Sequence, residues 1–192
     1  MLDVEVIVDP AAAVSVLDPI RGRLLAELSE PASAAALAAR VGITRQKVNY
    51  HLRALEQHHL VEAAGERRWG GLTERLMVAT AATYVVSPAA LGPVAADPDQ
   101  ARDRLSAGYL IAVAARTVRE VGELWRTARD KRKRLATLTI DTAVTFRSAA
   151  DRAAFTEELA AAVTALVARH HDESHPGGRP HRLVLAAYPM PR

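Results

Sequence analysis

A chain of 192 residues can bury a sizeable core, and its formal net charge of +3 is mildly basic, which suits an anionic partner without requiring one. There is no cysteine, so a disulfide framework, a thiol redox switch and thiolate metal sensing are excluded, and a reducing cytoplasm is the expected compartment. No apolar run is long enough to cross a bilayer, and no membrane partner is expected.

The opening MLDVEVIVDP is acidic and alternating, unlike a basic and apolar signal peptide. Leu2, Val4, Val6 and Val8 share one face, which predicts a short strand paired elsewhere in a dimer or beside a hairpin further along the chain.

From Ala34 onward the apolar positions are Leu37, Val41, Ile43 and Val48, with Ala38 where two helices must approach closely and Gly42 at the turn between them. That turn needs a positive φ, which glycine adopts cheaply. Thr44 is placed to cap the second helix, whose inward face is Val48, Leu52 and Leu55. Arg45, Gln46, Lys47, Asn49, Tyr50 and Arg53 are left pointing outward. This set suits a DNA major groove: Arg and Lys bridge guanine acceptors, Asn and Gln pair bidentately with adenine, and Tyr reaches phosphate. His51, His58 and His59 read as packing and helix-end residues.

Next, Leu60 to Gly65 reads as a strand entering a turn, Glu66 to Gly71 as an exposed loop, and Leu76 to Val86 as a return strand. This hairpin is a wing, with Arg67 and Arg68 at its tip for phosphate or the minor groove and Trp69 as a brace.

The runs LDPIRGRLLAEL, SAAALAARVGITRQKVNYHLRALEQHHLVE and GERRWGGLTERLMVATAATYVVSP resemble the ArsR-type winged-helix transcriptional regulators that carry an extra C-terminal domain. The likeness covers roughly the first half of the chain, and VNYHLRALEQHHLVE is its most specific part. The resemblance implies a homodimeric repressor or activator on a palindromic operator in double-stranded DNA. The DNA-facing set is then Ser33, Thr44, Arg45, Gln46, Lys47, Asn49, Tyr50, Arg53, Arg67 and Arg68. The missing cysteines depart from the thiolate sensors of that family.

Residues 87–100, SPAALGPVAADPDQ, hold three prolines and read as a linker between a winged helix-turn-helix domain at 1–86 and a dimerisation and effector domain at 101–192. A long helix is expected from Ala101 to Lys133, with Gly108, Ala112 and Ala115 allowing a partner helix to come close. Its end, from Arg126 to Arg134, carries six basic residues against Asp130, read either as a cationic helix terminus that complements the dipole or as a second contact to DNA phosphate. Leu138, Ile140, Val144 and Phe146 alternate as a strand, Phe155 to Val167 has helical spacing, and Leu183 to Tyr188 reads as a last strand. The expected fold class is therefore α+β: an N-terminal winged helix-turn-helix, a long linking and dimerisation helix, and a small C-terminal α/β module.

That module is where a small apolar or aromatic effector would sit, with Tyr109, Arg116 and Trp125 as orienting groups; the alternative is that its aromatics are core packing. His170, His171 and His175, beside Asp172 and Glu173, give the alternative of a His-based metal-responsive regulator, although Pro176 and two glycines argue that the helix frays there. A non-sensing DNA-binding or adaptor protein is the other alternative. No phosphate-cradling glycine loop, nucleophile elbow or HExxH run occurs, so neither enzymatic activity nor a cofactor is expected.

Overall fold

The computed structural model describes residues 1–69 and 72–191, without the side chains of Trp69 and Leu72. The loop tip expected at Gly70 and Gly71, and the brace expected of Trp69, lie outside the described residues. Contacts group the chain into two compact units, Met1–Leu135 and Ala136–Arg192.

The first unit opens with β1 (Leu2–Ile7), α1 (Pro10–Leu17) and α2 (Pro19–Ala26). Both helices start on an Asp-Pro pair. Asp9 accepts from the amides of Ala11 and Ala12, Asp18 accepts from those of Ile20 and Arg21, and proline sits where its missing N–H costs nothing. No helix was expected at α1, although the repeated Asp-Pro is a helix-start signal at both places.

After β2 (Ala32–Ser33) come α3 (Ala34–Val41) and α4 (Arg45–Gln57), joined as the spacing requires. Gly42 ends α3 at φ 75°, in the left-handed region, and the Thr44 hydroxyl caps α4 by accepting from the Lys47 amide at 3.3 Å. Leu24 and Leu28, Leu37 of α3, and Val48 and Leu55 of α4 are fully buried in one core, which Leu52 completes at 5% exposure. Past α4 the chain reverses at His59, whose φ is 55°. The Leu60 amide bonds the Leu55 carbonyl and the His59 amide bonds that of Glu56, a Schellman ending sealed by buried Leu55 and Leu60.

The hairpin differs from its expected outline. β3 (Val61–Trp69) runs through the segment read as a loop, and the return is two strands, β4 (Leu72–Ala79) and β5 (Ala81–Val86), separated at Thr80. Arg67 and Arg68 therefore lie within a strand, opposite Glu74 and Thr73, and not in a loop at the tip. The reason is pairing: β3 keeps an antiparallel ladder with β4 out to Trp69–Leu72, absorbing one irregularity between Ala63 and Gly65. β4 is central in a sheet of order β2-β4-β3.

β5 leaves that sheet to pair in parallel with β1, which matches Val4 to Thr83 and Val6 to Val85. The N-terminal strand thus finds its partner in its own chain, directly after the wing. Residues 87–100 are organised as two short 3-10 segments, Pro88–Val94 and Pro98–Gln100, and α5 (Ala107–Asp130) packs on both. The boundary read at 87–100 thus lies inside the first unit, which runs on through α5 to Leu135. α5 is held against β1 where Gly122 leaves room for Val6, where the Trp125 indole donates to the Val4 carbonyl at 3.3 Å, and where Arg129 pairs with Glu5.

The second unit contains α6 (Ala149–His170), capped by the Ser148 hydroxyl. The strands expected at Leu138–Phe146 and Leu183–Tyr188 are not formed, and Leu138, Ile140 and Tyr188 are 84%, 77% and 70% exposed. A strand needs a neighbour to complete its ladder, and among the described residues neither segment pairs with one, although Phe146 rests against Phe155 of α6 at 5.2 Å. The small α/β module is therefore not formed, while the mixed helix and strand architecture of the first unit is.

Candidate nucleic-acid interface

The site is built on α4. Val48, His51, Leu52 and Leu55 turn inward, so the helical repeat brings Gln46, Asn49, Tyr50 and Arg53 onto one outward stripe, flanked by Arg45 and Lys47 in the first turn. All six are exposed, Tyr50 at 66%. His51 is buried beneath them, with its ring edge-on to that of Tyr50 at 5.2 Å. The stripe carries donors for base edges and phosphates together, and its rigid backing is the core itself.

Two residues of the expected set serve the frame. Thr44 is exposed, and its hydroxyl oxygen caps α4. Ser33 is 2% exposed, and its hydroxyl accepts from the Ala36 amide to cap α3, so it orients the helix pair from below the surface.

The wing adds Arg67 and Arg68, both exposed. Neighbouring positions on a strand face opposite sides, so Arg67 shares a face with its cross-strand partner Glu74, and Arg68 shares one with Thr73. Arg67 donates to Glu74 at 3.2 Å. On the other face, Arg75 grips Glu56 of α4 with both terminal nitrogens, at 2.6 and 3.2 Å, which ties the hairpin to α4. The Ser33 hydroxyl, and then Arg67, hold the Glu74 carboxyl below the usual carboxylate range, and the charges of Arg67 and Arg45 act the same way. Sequence reasoning missed Glu74, Arg75 and Glu56. Counting outward from Gly70-Gly71 as a two-residue turn would have paired Arg67 with Glu74.

The proposed effector groups do not converge. Arg116 reaches Asp99 at 3.4 Å, whereas Trp125, nine residues further along α5 and so about 13 Å away, is committed to β1. Tyr109 belongs to the first turn of α5. α6 stops at His170, so His171 and His175 share no helical face, and His171 lies 3.3 Å from Glu173. Among the described residues, no group of three His, Cys, Asp or Glu is placed to hold a metal. No helix of the described residues is long and apolar enough to cross a membrane.

Residues 16–63, which span α2 to α4 and enter β3, match the family model described as a helix-turn-helix domain. Over this segment the chain is similar to a helix-turn-helix domain. That similarity supports a DNA-binding transcriptional regulator, with α4 as the second helix of the pair. The crystal structure of NolR from Sinorhizobium fredii is similar over 38% of this chain and 68% of that one, at 23% identity and a TM-score of 0.31. No curated protein matches the chain. Beyond the helix-turn-helix domain, the wing and α5 extend the same compact unit.

Proposed function

We propose that the protein is a homodimeric, sequence-specific repressor of the ArsR type that lays α4 of each copy in successive major grooves of a palindromic operator, with half-sites about 10 bp apart. The observation that carries this reading is the outward stripe of Gln46, Asn49, Tyr50 and Arg53 on a helix whose opposite face is locked in the core. Arg45, Lys47, Arg67 and Arg68 supply phosphate contacts around it, and a bound dimer excludes other proteins from the same DNA.

The partner copy is drawn from α5. Ala107, Ile111, Ala114, Val118 and Val121 recur at alternating four and three, the spacing of a helix that packs along another helix. Ile111 is 64% exposed and Val121 42%, with Leu124 beside them at 54%. Effector control through Tyr109, Arg116 and Trp125 is not part of the proposal, because the side chains of Arg116 and Trp125 serve different neighbours.

The test is fluorescence anisotropy of the full chain against a labelled duplex from the DNA upstream of its own gene and a scrambled duplex of equal length, over a salt series. The expected result is a preference for the upstream duplex that survives at physiological salt and disappears when Gln46 and Asn49 are both replaced by alanine. A preference untouched by that double replacement would remove α4 as the reader.

A further inference from the structure

We propose that Glu74 is a specificity-determining residue: its carboxylate competes with DNA phosphate for Arg67 and so holds down sequence-independent binding. The inference rests on the DNA-binding reading and deepens it.

The placement of Glu74 is built by the sheet. The β3–β4 register sets it directly opposite Arg67, and the Arg67 guanidinium donates to it at 3.2 Å. The side chain is 15% exposed against 52% for Arg67, so the carboxylate sits in and the guanidinium out. The adjoining register pair, Ser33 with Leu76, brings β2, and with it the buried Ser33 hydroxyl that caps α3, alongside the strand that carries Glu74. The acid thus pairs with the wing arginine on the strand that borders the start of α3, within reach of the charge of Arg45 at the start of α4.

Two consequences follow. The carboxylate cancels one positive charge on the face of the wing that carries Arg67 and lies within reach of the charge of Arg45. Sequence-independent affinity depends almost wholly on such charge, through the counterions that each phosphate contact releases. The carboxylate also fixes the direction of the Arg67 side chain, so Arg67 reaches a phosphate only by loosening an existing charge-assisted bond. A site read by base contacts has other free energy with which to offset that cost, whereas a random duplex has none.

Glu74→Gln removes the charge at nearly constant size and leaves the Ser33 cap of α3 in place, which preserves the frame. Against the scrambled duplex, anisotropy is expected to show about three- to tenfold tighter binding for Glu74→Gln, the effect of removing one like charge near the phosphates. The slope of log K against log salt should steepen by about one phosphate contact. Adding Arg67→Gln should abolish both gains, and an unfolding midpoint close to that of the parent protein should accompany them. Unchanged or weaker binding, or an unchanged slope, would overturn the inference while leaving the DNA-binding reading intact. Failure of the parent protein to bind either duplex at low salt would instead remove that reading itself.

Discussion

At the scale of single residues, the division of labour on α4 follows from what each side chain offers. Gln46 and Asn49 present a paired donor and acceptor that match adenine in the major groove, while Arg53 presents only donors and a charge. All three stand on the exposed stripe, so none carries the core. Gln46→Ala and Asn49→Ala are each expected to cost about 1 to 3 kcal/mol at one base pair and little elsewhere. Arg53→Ala should weaken every duplex alike and lower the salt slope by about one. Anisotropy against a panel of singly substituted duplexes separates these outcomes, and an equal loss on all duplexes for the Gln46 and Asn49 variants would assign them to phosphate contact.

Secondary-structure elements depend on caps and close approaches that single residues decide. Asp18 caps α2, and its carboxyl is held below the usual range first by the backbone hydrogen bond from Arg21. A carboxyl with a depressed folded pKa contributes stability above its unfolded value of 3.8, and that contribution fades as pH falls through the folded value. Thermal unfolding of the full chain should therefore lose part of its midpoint below about pH 4, and Asp18→Asn, which keeps a capping oxygen, should flatten that part of the profile. Gly122 makes the second case. A Cβ built there meets Cγ1 of Val6 at 2.8 Å, so Gly122→Ala must push α5 from β1, with an expected cost of about 1 to 3 kcal/mol in chemical unfolding. An unchanged midpoint for Gly122→Ala would show that the seam between α5 and β1 yields freely. The helix pair was legible because Gly42, Thr44 and the inward row Val48, Leu52 and Leu55 are local signals that agree with one another. The pairing of β1 with β5 and the seating of Val6 under Gly122 join residues far apart in the chain, which no local pattern specifies. The alternation at Leu138–Phe146 is equally clear, yet it marks only a capacity to form a strand, and no strand among the described residues pairs with it.

For the whole molecule, the decisive question is what covers α5. Ala112, Val113 and Gly122 are buried against the first unit, whereas Ile111 and Val121 project away, with Ala114 between them. Burying such a seam between two copies removes apolar surface from water at about 25 cal/mol per Å², and the alanines let the helices approach closely enough to exclude water. Two reading heads on one duplex also convert the second contact into an intramolecular one, so dimerisation and operator affinity rise or fall together. Ile111→Glu with Val121→Glu places two carboxylates in that seam but leaves the core and α4 untouched. Sedimentation velocity should then show a monomer where the parent protein is a dimer, with the far-ultraviolet circular dichroism preserved. Binding to the upstream duplex should fall at least tenfold, while binding to a single half-site changes little. A dimer that persists in the double variant would move the two-fold contact away from α5, and a monomeric parent protein that still discriminates between duplexes would make each α4 a reader on its own.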